Sequence, residues 1–105
     1  MLDKAKVREI AKQYTNKVRE TYNPKLIILF GSHINGNPNE YSDIDIAFVF
    51  DKYEGNWVEA WADLFSLRED ISFDIEPHML EEANDRSGFL EHIKRTGEII
   101  YEEAS

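Results

Sequence analysis

The sequence predicts an α+β domain in which helices flank a small mixed β-sheet. Three observations carry that prediction. Apolar residues recur at helical spacing in several stretches of the 105-residue chain, short apolar runs lie between them, and glycine, proline and asparagine gather in the connections. A chain of this length builds one sheet and a few helices around one core. A single domain over residues 1–105 is therefore expected, and no repeat, linker or low-complexity tract suggests a second. Whatever so small a domain binds must be covered in part by something else.

Residues 3 to about 21 set Val7, Ile10, Ala11, Tyr14, Val18 and Thr21 on one helical stripe. Asn23-Pro24 ends this helix, because proline disfavours helical geometry in the residue before it. Leu26 to Phe30 is an unbroken apolar run, as expected of a central strand covered on both faces. Residues 31 to 42 hold two Gly, one Pro and three Asn and read as loop, with room for one helical turn from Ser32. Residues 43 to 50 then alternate, with Ile44, Ile46, Phe48 and Phe50 on one face and Asp43, Asp45, Ala47 and Val49 on the other. Two acids thus stand where the second strand starts.

After a turn at Gly55-Asn56, residues 57 to 68 place Trp57, Trp61, Leu64 and Phe65 on a helical stripe expected to pack in the core, with an aromatic partner-binding face as the alternative. Ile71 to Glu76 alternates as a third strand, ended by Pro77. Residues 86 to 96 align Phe89, Leu90 and Ile93 on a helix that stops at Gly97, and Glu98 to Tyr101 can add a short extended segment.

Composition narrows the function. With 42% hydrophobic and 12% aromatic residues, a folded core is expected rather than disorder. No apolar run is long enough to span a bilayer. Met1-Leu2-Asp3-Lys4-Ala5-Lys6 lacks the apolar stretch and cleavage site of a signal peptide, and there is no cysteine, so the cytoplasm is the expected location. A net charge of −9 argues against direct binding of nucleic acid, which relies on Lys and Arg displacing counterions from phosphates. A partner with a basic surface fits better, although an acidic surface also serves solubility alone.

Three features converge on a candidate site: Gly31-Ser32 directly after a buried strand, Asp43 and Asp45 on the next strand, and an acid on the third. Gly31 allows close backbone approach, and Ser32 offers a hydroxyl and, at a helix start, outward amides, a corner suited to phosphate oxygens. Taken alone, the two residues describe a tight turn with a Ser cap. Asp43 and Asp45 lie two apart on a strand, so their carboxylates point the same way. At ~5 Å and an effective dielectric of 20 their repulsion is about 3 kcal/mol, and no Lys or Arg between Pro38 and Phe50 offsets it. A hard divalent cation such as Mg²⁺ would, and it would also neutralise a triphosphate. The plainer alternative is a loop end with Asp45 at a solvated edge. On the third strand Asp74 and Glu76 share a face; Asp74, nearer the expected middle of the strand, is the first choice as metal ligand or general base, with Glu76 as its substitute.

The stretch LIILFGSHINGNPNEYSDIDIAFVF, Leu26 to Phe50, resembles the signature of the nucleotidyltransferases of the DNA polymerase β superfamily: an apolar strand, Gly-Ser, about ten variable residues, then Asp-x-Asp in a second apolar strand. Phe73-Asp74-Ile75 resembles the family's third acidic strand, and GFLEHIKRTGEIIYE, Gly88 to Glu102, is similar to the ending of its minimal, single-domain members. The resemblance implies a nucleotidyltransferase fold in which Gly31 and Ser32 hold the β and γ phosphates and Asp43, Asp45 and Asp74 ligate two Mg²⁺ ions. It implies transfer of AMP from ATP to a hydroxyl on a partner protein, the partner being a helical HEPN-type toxin and this chain its antitoxin.

The sequence departs from the family at one place. Members commonly carry arginines just after Gly-Ser, whereas this chain has His33, Ile34, Asn35 and Gly36. Two phosphate-pairing cations are missing, which predicts a weaker grip on a triphosphate. A competing reading is therefore a binding module that keeps the fold and covers a basic partner surface without chemistry. Transfer to a small acceptor such as an aminoglycoside would need pocket walls that so short a chain can hardly supply. His78 and His92 read as ordinary surface or boundary residues.

Overall fold

The computed structural model describes residues 3–31, 34 and 43–104. Among these, three α-helices flank a four-stranded mixed sheet, so the expected α+β class is what the chain forms.

Helix α1 spans Lys4–Arg19. The Asp3 carboxylate caps it by accepting the Lys6 N–H at 2.8 Å, and Lys17 and Arg19 complement the dipole of its last turn. Val7, Ala11, Tyr14 and Val18 form its buried stripe. Thr21, expected on that stripe, lies beyond the helix end and is exposed, because the helix stops before the Pro24 restriction is reached. Strand β1, Leu26–Phe30, is buried at all five positions and central as expected. Of residues 31–42 only Gly31 and Ile34 are described, joined by an Ile34 N–H to Gly31 carbonyl bond of 3.0 Å. A helical turn from Ser32 falls outside the described residues.

Strand β2, Ile44–Phe50, runs antiparallel to β1. Helix α2, Trp57–Leu67, follows, capped by the Asn56 side chain accepting from the Glu59 N–H at 3.0 Å. Its stripe differs from the one expected. Ala60 and Leu64 are buried, whereas Trp61 is 46% exposed and stacks edge-on against Phe65 at the margin. Small Ala60 lets α2 approach the sheet closely, and the bulkier indole is turned aside to donate from its Nε1 to the Pro77 carbonyl at 3.3 Å.

Strand β3, Ile75–Glu81, pairs in parallel with β2 and runs through Pro77 instead of ending there. Proline is tolerated because β3 is an edge strand, where one missing N–H need not break the ladder. The expected strand start at Ile71 is instead a turn that follows a 3₁₀ helix, Arg68–Asp70, and a second turn at 73–74 precedes the strand. Helix α3, Phe89–Thr96, directs two of its first amides to the Asp85 carboxylate, which accepts from Leu90 and Glu91 at 3.0 and 3.2 Å. Strand β4, Glu98–Glu102, closes the other edge against β1, giving the order β3-β2-β1-β4.

The sheet thus has two cores. Helices α1 and α2 cover Ile27, Leu29, Ile44, Ile46, Phe48 and Phe50, while α3 covers Leu26, Ile28, Phe30, Ala47 and Val49. Tyr14 joins the first core edge-on to Phe48 and ties α1 to α2 by donating to the Leu64 carbonyl.

Candidate active site

The acids gather where β1 stops and β2 and β3 start. Register pairs Phe30 with Asp45 and Asp45 with Glu76, so three adjacent strands present one row on the α3 face. Parallel pairing of β2 with β3 is essential, since it brings the first acids of both strands to the same end. One pair further along, Ala47 faces His78.

Gly31 follows Phe30 with φ of +93°, a left-handed conformation that side chains rarely adopt. A Cβ at this position would also run into the Asp45 carboxylate. Two independent reasons therefore demand glycine, and both serve to let the β1 corner touch the acid on β2.

Asp45 is part-buried, and its Oδ1 is 3.2 Å from Nε2 of His78. The His78 ring packs 5.1 Å from Phe30, which in turn packs 5.6 Å from Phe89 of α3, so an aromatic stack holds the imidazole against the acid. The Glu76 carboxyl is pushed above the usual range, first by a hydrogen bond shared with Asp43, then by burial and by the charges of Asp43 and Asp45, with His78 opposing. Acids crowded in this way hold more negative charge than the site balances. Their hard carboxylate oxygens are the donor set that a divalent cation takes, and such an ion would relieve the crowding. Among the described residues, no three acid or histidine side chains are drawn into a closed metal-binding cluster; the arrangement is two adjoining pairs, Asp43 with Glu76 and Asp45 with His78.

Of the residues proposed from sequence, the structure brings Gly31 against Asp45 and Asp43 against Glu76. Ser32 lies outside the described residues. Asp74 is exposed in the turn before β3, with its carbonyl accepting from the Ile44 N–H at 2.7 Å and its own N–H donating to Ser72 Oγ at 3.1 Å. The premise that placed Asp74 near the strand's middle is overturned, because β3 begins one residue later. Glu76 takes the position in register with Asp45. His78, read as an ordinary residue, belongs to this row. The signal for it was the alternation Glu76-Pro77-His78, hidden by the assumption that proline ends the strand.

Comparison with known proteins identifies the family and the fold. Residues 6–105 match the family model described as Polymerase beta, Nucleotidyltransferase. Two proteins of Methanocaldococcus jannaschii are similar. "Putative protein adenylyltransferase MJ1215" is 37% identical over 46 residues, covering 44% of this chain and 54% of that one. "Putative protein adenylyltransferase MJ1379" is 38% identical over 48 residues, covering 46% and 48%. The matched segments thus span about half the length of these relatives. A crystal structure from Sulfolobus solfataricus, described as "a putative nucleotidyltransferase", shares the fold with a TM-score of 0.64 at 24% identity, over 90% of this chain and 79% of that one. No helix among the described residues is long and apolar enough to cross a membrane. With the family model spanning nearly its whole length, the chain belongs to the polymerase β nucleotidyltransferase family.

Proposed function

We propose that this chain transfers a nucleoside monophosphate, AMP from ATP, to a hydroxyl of a partner protein in the cytoplasm. One observation carries the reading: Gly31, Asp45 and Glu76 meet at one end of the sheet, and Gly31 lacks the Cβ that would strike Asp45. The names of the two M. jannaschii relatives support AMP and a protein acceptor.

Asp43, Asp45 and Glu76 would hold magnesium, two ions on the family pattern, with Asp74 displaced from that set by its exposed turn. When bound, the metal supplies charge neutralisation for the triphosphate and the departing pyrophosphate. The open corner at Gly31, with the Ser32 hydroxyl beside it in sequence, seats phosphate oxygens. The acceptor oxygen bonds to the α phosphorus as the bond to the bridging oxygen breaks, and the acceptor's proton passes to a carboxylate. Glu76, in register with Asp45 and beside Asp43, is placed to take it. His78 holds Asp45 in place by its contact with Oδ1.

The acceptor we propose is a basic, helical HEPN-type toxin, with this chain as its antitoxin. Incubation of such a partner with labelled ATP and Mg²⁺ tests both points. Asp43→Asn, Asp45→Asn and Glu76→Gln should reduce label transfer to background while Asp74→Asn keeps it. Transfer that survives Asp45→Asn defeats the mechanism, and loss in Asp74→Asn alone would restore that residue to the metal set.

A second reading is favoured by the missing arginines at positions 33 to 36 and by the contact of Asp45 with His78. The chain would then cover a basic partner without chemistry. Titration with ATP and Mg²⁺ separates the two, because no binding at about millimolar concentration leaves only this one.

A further inference from the structure

Helix α2 carries two apolar stripes, and the sheet covers only one of them. Trp57, Ala60, Leu64 and Leu67 recur at three- and four-residue steps and pack against the first core. Val58, Trp61 and Phe65 repeat the same spacing one residue further round the helix. Val58 is 69% exposed and Trp61 46%. The row runs on past the helix end: Trp61 packs edge-on to Phe65 at 5.5 Å, and the Arg68 guanidinium bridges from Phe65, at 4.9 Å, to Phe73, at 5.7 Å. Phe73 is 68% exposed. Among the described residues, three of the five large apolar side chains left exposed thus fall in one continuous row, the kind of surface that marks an interaction site.

Charge says what covers it. Residues 51–85 hold just over half of the chain's 21 acids but only Lys52 and Arg68 of its 12 basic residues. The rest of the chain is balanced, so the entire net charge of −9 comes from this third of the sequence. Glu59, Glu69 and Asp74, all exposed, stand next in sequence to Val58, Arg68 and Phe73. An apolar row with an acidic border fits a partner whose own apolar stripe is bordered by Lys and Arg. Hydrogen bonds at the adjoining sheet edge set the form of that partner. The Ile75 carbonyl accepts from Arg68 Nη1 at 2.7 Å, the Pro77 carbonyl accepts from Trp61 Nε1 at 3.3 Å, and Pro77 has no N–H to offer. An added strand would find these outward groups of β3 already taken or missing. Side-chain packing is what remains, and a helix supplies it.

We propose that this row docks an amphipathic α-helix of a partner protein, its apolar stripe packed on Val58, Trp61 and Phe73 and its flanking Lys and Arg facing the acids of residues 51–85. The docking uses no step of the transfer reaction, so it holds for either reading of the site at Asp45.

Both tryptophans of the chain, Trp57 and Trp61, lie on α2, so their emission reads this surface directly. The test is a fluorescence titration of the full chain with a synthetic peptide of about 20 residues, an alanine helix with one leucine stripe flanked by lysines. The same residues in scrambled order, and the same helix with Glu for Lys, are separate arms. A saturable blue shift below about 100 µM is expected for the first peptide, with both controls at least about tenfold weaker. Val58→Ser combined with Phe73→Ser should weaken binding about tenfold or more, and Asp45→Asn should leave it unchanged. Equal binding of the scrambled peptide would show charge acting alone, and equal binding by the double variant would place the peptide elsewhere. Loss of binding in Asp45→Asn would move it to the acids, and self-association of the chain that the double variant abolishes would make a second copy the occupant. Each of these four results overturns the proposal. Both substituted side chains are exposed, so the double variant should fold; if it does not, Phe73→Ser, in the turn before β3, decides alone.

Discussion

The two faces of the sheet are built to different standards. Under α1 and α2, β1 and β2 contribute Ile27, Leu29, Ile44, Ile46, Phe48 and Phe50, and two helices of 16 and 11 residues seal them. Under the 8-residue α3, the same strands contribute Phe30, Ala47 and Val49 beside Leu26 and Ile28, and the row at the strand starts is Asp45 and Glu76. Apolar burial is what holds a domain of this size together, so the first face supplies most of the stability. The second face, with less apolar area to lose, is the one that can tolerate crowded carboxylates. Folding and the chemistry proposed for the acids are divided between the two sides of one sheet.

The largest effects should expose that division. Ile46 and Ile93 are both essentially buried, one on each face. Ile46→Ala should cost about 4 kcal/mol, because a face sealed by two helices cannot close over the void. Ile93→Ala should cost about 2 kcal/mol, because a short single helix can settle toward the sheet. Urea denaturation of both variants measures the difference, and equal losses would mean that the faces contribute alike.

Next in size is the glycine pair. Gly31 and Gly88 both have positive φ, but only Gly31 has a neighbour in the way of a Cβ, the Asp45 carboxylate; nothing lies within 4 Å of a Cβ at Gly88. Gly88→Ala should therefore cost only conformational strain, about 1 kcal/mol. Gly31→Ala should cost about 2–3 kcal/mol and abolish nucleotidyl transfer by displacing Asp45. Melting curves and label transfer on the same two variants separate strain from collision.

Much of this division was legible in the sequence. The unbroken run Leu26–Phe30 announced a central strand, and the alternation from Asp43 to Phe50 set the acids apart from the phenylalanines. What was not legible depended on neighbours. Pro77 stops a strand only where its N–H is needed, and nothing local says that β3 is an edge. That one assumption put Asp74 near the middle of the expected strand and hid His78. The exposure of Trp61 is similar in kind, since which side of a helix meets the sheet is decided by how closely Ala60 lets it approach. Parallel pairing of β2 with β3, which gathers Asp45 and Glu76 at one end, is a property of topology and not of either strand.

A smaller effect concerns the cost of the site itself. The hydrogen bond between Asp43 and Glu76 and their mutual repulsion hold Glu76 above the usual carboxylate range. Asp43→Asn keeps a hydrogen-bonding partner and removes one charge, so the metal-free protein should gain about 0.5 kcal/mol after allowance for solvent screening, roughly 2–4 °C in Tm. The same variant should lose transfer. A gain in stability with a loss of activity is the mark of a group kept for chemistry, and a fall in Tm would show Asp43 to be structural.

The smallest effect belongs to the well-sealed face and appears only in alkali. Half-buried Tyr22 donates its hydroxyl to Asp63 of α2 at 2.7 Å. Burial first, then this bond and the charge of Asp63, push its pKa up to about 12 from an ordinary value near 10. The folded state therefore holds the proton more tightly than the unfolded chain. The contribution is fully present below about pH 10 and is lost as pH rises through about 12. Tyr22→Phe removes both the bond and its titration, so the variant should be slightly less stable at pH 8, and its margin below the parent should shrink between pH 10 and 12. Urea midpoints measured across that range check the point. A margin that stays constant would mean that Tyr22 contributes by packing alone, and that the link between the end of α1 and α2 is as apolar as the core beneath it.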